Sequence, residues 1–205
     1  MVYSIPLPMT SSTTSSQTQS AGLKTQLSLN LQELLNDLFL VLTQKETEVI
    51  KRRFALAGNQ KQTLEKIGKH FNVTRERIRQ IESIALSKLK RTVRTTKLND
   101  INEMAKAMLR SHGGVMPASE LVSAMLKRLH GTTAIDGAIL SLSFSIDNEI
   151  SSEGNSQTYK QFWRLTSLPM EDVASIIDLA VKLLNKRHAC MKTAELVSSI
   201  QSMPA

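Results

Sequence analysis

The chain has 205 residues, with 26 Lys and Arg against 18 Asp and Glu, one cysteine, eight glycines, five prolines and aromatics at only 4%. Scarce aromatics with few Gly and Pro point to a mainly α protein with a core of Leu, Ile, Val, Met and Ala. The lone Cys190 excludes a disulfide framework, the four scattered histidines offer no zinc-ligand spacing, and no apolar run approaches the roughly 18–20 residues of a membrane span.

The net charge of +8 is not spread evenly. Residues 1–42 carry a net charge of −1, residues 43–97 carry +10, and residues 98–205 carry −1. A focused cationic block points to a polyanion site, where a uniformly basic surface would mainly affect solubility. Met1 to Met9 lacks the basic stretch and apolar core of a signal peptide, so a cytoplasmic, nucleoid-associated protein is expected.

In chain order, residues 10–20 read TSSTTSSQTQS, which cannot bury enough apolar surface to offset ordering entropy; a disordered leader over residues 1–27 is expected. From about Ser28, Leu31, Leu34, Leu35, Leu38 and Leu42 recur at three- and four-residue spacing, as in an amphipathic helix. Thr43 and Glu46 then form a capping-box pattern for a helix reaching about Phe54, with Val49, Ile50 and Phe54 on its apolar side.

Residues 63–90, TLEKIGKHFNVTRERIRQIESIALSKLK, read as a helix-turn-helix. Leu64, Ile67 and Phe71 mark the inner face of a short helix, and Gly68 is small where two helices can approach. Asn72 and Val73 make the connection, and Thr74 caps a second helix with Ile78, Ile81, Ala85 and Leu89 as its inner stripe. Glu76, Arg79, Gln80 and Ser83 then share the outer face, with Arg75 at the tip. Arg pairs with guanine, Gln with adenine and Glu with cytosine in the major groove, so Arg75, Glu76, Arg79 and Gln80 are candidate base readers. Lys66, Lys69, Thr74, Arg77, Ser83, Lys88, Lys90 and Arg91, with Arg94 and Lys97 beyond, are candidates for phosphate contact.

The second half contains an internal repeat. Residues 101–125 align without gaps to 176–200, with about a third of positions identical and Glu120 to Ser123 recurring as Glu195 to Ser198. The first copy continues through a helix near 133–145 into a strand–turn–strand pattern, with Gly154 and Asn155 at the turn and Tyr159, Phe162 and Trp163 beyond. It therefore reads as a winged helix over residues 98–168. Residues 169–205 read as a partial second repeat, left either by a natural end or by a cut in a longer protein. Cys190 takes the repeat position of Val115 and is expected to be a small buried hydrophobe. Trp163 is expected to pack the wing on the helices, and His112 to C-cap a helix before Gly113 and Gly114. Asp136, Asp147, Glu149 and Glu153 gather near the third helix and wing, which favours protein contact over DNA contact for residues 98–205.

The runs LTQKETEVIKRRFAL and QTLEKIGKHFNVTRERIRQIESIALSKLKR resemble region 4 of the primary-type sigma factors of bacterial RNA polymerase, across about residues 31–91. The resemblance implies that Arg75, Glu76, Arg79 and Gln80 read a promoter −35-like element on double-stranded DNA. It also implies docking of the earlier helices on the β flap of core RNA polymerase, through Leu34, Leu38, Leu42, Val49, Ile50, Phe54 and Leu56 in a domain spanning 28–97. Several of these must also serve as core. Nothing before Ser28 matches the aromatic-rich region 2 that melts promoters, so the chain alone is not expected to open them. GGVMPASELVSAM and QFWRL are similar to the HARE-type winged helix, found also in the RNA polymerase delta subunit. Two other readings stay open: an adaptor that occupies the β flap or mimics region 4, and the targeting subunit of a DNA-processing complex. No nucleophile–base motif, phosphate-cradling glycine loop or metal spacing is found, so neither enzymatic activity nor a cofactor is expected.

Overall fold

In the computed structural model, which describes residues 30–58, 60–131, 133–187 and 190–202, Asn30 caps α1 (Leu31–Phe39) by accepting from the backbone N–H of Gln32 and Glu33. The expected leader over residues 1–27 lies outside the described residues. The chain turns at Leu40, so Leu42 falls beyond the helix that its spacing suggested. The capping box forms as expected: Glu46 N–H donates to the Thr43 hydroxyl and Thr43 N–H donates to the Glu46 carboxylate, opening α2 (Gln44–Phe54). Ala55 closes α2 in the left-handed region.

Thr63 caps α3 (Leu64–Phe71), Asn72 ends it with φ 52°, and Thr74 caps α4 (Arg75–Thr92). At this turn the Val73 N–H donates to the Gly68 carbonyl oxygen at 2.9 Å. A Cβ on Gly68 would lie 2.7 Å from the Val73 carbonyl oxygen, so only glycine lets the chain turn this closely over the helix. A 3-10 turn, Val93–Thr95, leads into α5 (Leu98–Ser111). His112 ends that helix, with its Nδ1 2.8 Å from the Met108 carbonyl oxygen.

The remaining elements are β1 (Val115–Pro117), α6 (Ala118–Leu129), α7 (Ala134–Ser145), β2 (Ile150–Glu153), β3 (Phe162–Leu165), α8 (Met170–Arg187) and α9 (Thr193–Gln201). The wing strands pair antiparallel as expected, with Ile150 opposite Leu165. A third strand, β1, joins them with Val115 opposite Arg164, giving the order β1-β3-β2. Trp163 is buried and meets the Phe144 ring edge-on, 5.5 Å between centroids, tying wing to helices. The architecture is a mainly α helix-turn-helix followed by a winged-helix-like body.

One core runs across residues 97 and 98: Leu31, Leu35, Leu38, Ile50, Leu56, Leu89 and Val93 form one cluster with Leu98, Ile101, Leu121, Leu140 and Phe144. The helix α7, AIDGAILSLSFS, is apolar on most sides because it packs against α1 and α2 on one flank and α5, α6 and β2 on the other. Cys190, expected to be buried, is exposed. Val115 is held in a strand paired to β3, whereas among the described residues no strand pairs with the Cys190 position.

A smaller cluster of Val49, Ile67, Ile78 and Ile81, flanked by Leu64, Phe71 and Val73, locks α3 against the first half of α4. Gly68→Ala gains up to about 1 kcal/mol of helix propensity but forces backbone apart at the turn. Overpacking of this kind costs about 1–3 kcal/mol, so urea denaturation should show net destabilisation. An unchanged or raised midpoint would contradict the close approach.

Candidate nucleic-acid interface

The Thr74 cap fixes the first turn of α4: its hydroxyl accepts from the Arg77 N–H at 3.2 Å. With Ile78 and Ile81 turned inward, Arg75, Glu76, Arg79 and Gln80 are all exposed, and Ser83 extends the same side one turn on. The structure thus brings together the four residues expected to read bases. Arg79 grips Glu76 with Nε and Nη2 at 2.9 and 2.7 Å, and Arg77 Nη1 donates to Gln80 Oε1 at 3.1 Å. The Arg79 hydrogen bond holds the Glu76 carboxyl below its ordinary range, so this residue stays an ionised acceptor.

The candidate phosphate contacts divide. Lys66, Lys69, Lys90 and Arg91 are exposed, as are Arg94 and Lys97, with Lys69 paired to Glu65 at 3.0 Å on the surface. Thr74 is exposed, though its hydroxyl already caps the helix. Lys88 is half-buried. Its Nζ lies 2.8 and 2.9 Å from the two carboxylate oxygens of Glu46, bracing α4 against α2. Burial tends to raise the Glu46 pKa, but Lys88 and the Thr43 N–H and hydroxyl outweigh it and hold the carboxyl below 4.5. Arg53 braces the same pair of helices, donating to Glu82 at 2.9 Å and to the Gln62 carbonyl oxygen at 2.7 Å.

The apolar candidates for a polymerase contact lie in or against the hydrophobic core. Leu38, Val49, Ile50 and Leu56 are buried, while Leu34, Leu42 and Phe54 are half-buried against the shared core. Their face is covered within the chain by α4 and α7 together. The exposed apolar residues of this region are Leu40, 83% exposed, and Val41, at the α1–α2 turn. A sign of them was present: Leu38 to Leu42 is an unbroken apolar run of five, more than one helix face can bury. Also unforeseen is a shallow cleft where Ser87, Lys90, Arg91 and Arg94 meet Asn148 from the winged-helix side.

The carboxylates near the wing are not a free acidic face. Glu153 pairs with Arg164 at 2.9 Å, and Asp136 closes the capping box of α7. Lys106, almost fully buried, meets Glu103 at 2.6 Å, Glu149 at 3.1 Å and Asp147 at 3.6 Å.

Residues 38–91 match the family model described as Sigma-70, region 4. Two curated proteins extend the likeness. The chain is 48% identical over 73 residues to "RNA polymerase sigma factor SigA" of a Bacillus species, covering 36% of this chain and 19% of that protein. It is 50% identical over 70 residues to "RNA polymerase sigma factor SigA" of Clostridium acetobutylicum, covering 34% of this chain and 18% of that protein. The chain therefore spans less than a fifth of the length of these relatives. The region 4-like segment holds the whole helix-turn-helix, including Thr63, Thr74 and the four exposed residues of α4. Among the described residues, no helix is long and apolar enough to cross a membrane and no cluster of His, Cys, Asp and Glu could hold a metal.

Glu46→Gln removes the charged half of the Lys88 pair. A depressed carboxyl pKa stabilises the fold above the ordinary value and loses that contribution as pH falls through the folded one. The stability gap between wild type and Glu46→Gln, measured by denaturant unfolding, should be widest near neutral pH and close below pH 4.5. A gap independent of pH would mean the pair is not a stabilising ion pair.

Proposed function

We propose that this chain binds double-stranded DNA sequence-specifically in bacterial transcription initiation, reading a −35-like promoter element through the N-terminal half of α4. The observation that carries this is the Thr74-capped helix, which exposes Arg75, Glu76, Arg79 and Gln80 together within the segment that matches region 4. Arg79 spends its Nε–H and one Nη2–H on Glu76. Its Nη1 hydrogens and the remaining Nη2–H stay available as a fork for guanine O6 and N7. Gln80 is placed for adenine, and Glu76, when not engaged by arginine, for the cytosine amino group.

Lys66, Lys69, Arg77, Lys90 and Arg91 hold phosphates around this reading face in the same proposal, and Ser83 contributes a hydroxyl. The whole acts as a DNA-binding, non-enzymatic module that works without a cofactor. Core RNA polymerase is the expected protein partner, as the sigma factor names of the relatives suggest. Docking on the β flap through the leucine face of α1 and α2 would compete with α4 and α7, which cover that face. This weighs against the adaptor reading, in which the apolar face alone does the work. Residues 98–168, as a HARE-like winged helix, together with 169–205 serve contact with a second protein, their acidic groups being largely matched internally.

Arg79→Ala should weaken binding to a −35-containing duplex by about 1–3 kcal/mol and relax selectivity at one base pair, read by competition against single-base variants. Lys90→Ala should instead weaken all sequences alike and lower the salt slope by about 1. If Arg79→Ala and Gln80→Ala both discriminate as wild type does, α4 is not the reader.

A further inference from the structure

The exposed side of α4 carries two side-chain pairs, each between residues three apart. Glu76 is gripped by Arg79, and Gln80 Oε1 accepts from Arg77 Nη1 at 3.1 Å. Arg77 stands about 60° round the helix from Gln80, on the side away from Arg79, and both partners are exposed. Among the described residues no carboxylate pairs with Arg77, so its other N–H groups stay free for a phosphate.

A glutamine amide has two ends of nearly the same shape, one an acceptor and the other a donor. Adenine offers an N6–H donor beside the N7 acceptor and takes both ends of the amide, whereas guanine offers only the acceptors O6 and N7. A freely rotating glutamine meets guanine by turning its NH2 group to it, and so separates the two purines poorly. Arginine is a donor only. The end of Gln80 that faces Arg77 must therefore be the oxygen, which keeps a second lone pair for the groove.

We propose that Arg77 is a positioning residue for base selection. It holds the Gln80 amide in the orientation that accepts from adenine N6 and donates to N7, and so sharpens the choice of adenine over guanine. The inference rests on α4 being the base-reading helix. In water an exposed pair three residues apart contributes little, but the duplex shuts water out, and a charged donor on the amide oxygen is then stronger. One guanidinium thus spans a phosphate and Gln80, joining backbone contact to base choice.

Competition binding of the full chain to a −35-containing duplex and its single-base variants tests this. Gln80→Ala first marks the base pair that Gln80 reads, as the one where adenine loses its advantage. At that pair Arg77→Ala should lower the preference for adenine over guanine at least about threefold, with preferences at other pairs as in wild type. Its lost phosphate contact weakens all sequences alike and cancels in these ratios. In a Gln80→Ala background Arg77→Ala should leave the ratio unchanged. Wild-type preference at the marked pair in Arg77→Ala overturns the proposal while leaving α4 as the reader, and so does an equal loss with and without Gln80. Loss of preference at every pair marks a displaced helix and overturns it as well. A Gln80→Ala variant that shifts no pair removes Gln80 as a reader, and this proposal with it.

Discussion

The position of every exposed side chain at the start of α4 depends on the inner stripe of that helix. Ile78 and Ile81 belong to the small cluster that clamps α3, while Ala85, Leu89 and, just beyond, Val93 belong to the large core. One helix of 18 residues, about 27 Å long, is thus fastened at both ends in different packing units. Its first turn cannot tilt without disturbing one of them. The two β-branched isoleucines add stiffness, because each has essentially one side-chain rotamer available in a helix. Glu46–Lys88 and Arg53–Glu82 fasten the middle of α4 to α2 from the side. The exposed face is rigid because its opposite face has no freedom left.

The large core explains why the helix-turn-helix and the winged-helix-like body behave as one packed unit. The helix α7 has almost no polar face to give to solvent, and Ile139, Leu140, Leu142 and Phe144 are all essentially fully buried. A helix of this composition must be covered on several sides, and α1 with α2 supplies one of the covers. Within it, buried Asn102 and Ser143 satisfy each other: the Ser143 hydroxyl donates to the Asn102 side-chain oxygen at 2.7 Å, and the Asn102 amide donates to the Ser143 carbonyl at 3.2 Å. That polar pair fixes the register of α7 against α5 without leaving an unmatched group. The consequence for function is that the leucines of α1 and α2 are core first. Leu40 and Val41 remain as the apolar groups this end of the molecule offers to a partner.

Local signals were legible in the sequence; mutual cover was not. Thr43 with Glu46, Thr63, Thr74 and the tight place at Gly68 each act over a few residues, so their chemistry can be read from spacing. The alternation of Ile78, Ile81, Ala85 and Leu89 with Arg75, Glu76, Arg79 and Gln80 likewise shows which side of α4 is wet. Periodicity says which face is apolar, but never what lies against it. The spacing of the leucines in α1 and α2 therefore does not show that α4 and α7 cover them, nor that one core continues past residue 97. The Lys88–Glu46 pair is equally invisible to spacing, because its partners lie 42 residues apart in sequence. Cys190 was misjudged because equivalence in a repeat was equated with equivalence in burial.

The electrostatics of the two halves meet where α4 runs into the winged-helix-like body. Lys90 and Arg94 share one recess with Glu103, Lys106, Asp147 and Glu149. Buried Lys106 would be costly to leave ionised, but the hydrogen bonds it donates to Glu103 and Glu149 outweigh desolvation and raise its pKa, so the ammonium stays charged. It draws Asp147 and Glu149 inward, and Arg110 stands 3.7 Å from Glu149 on the outer side. Three carboxylates thus meet Lys106 and Arg110 in a cluster that stays acidic by one charge, beside the Lys90 and Arg94 end of α4. The two halves of the chain meet here as opposite charges, which favours their packing.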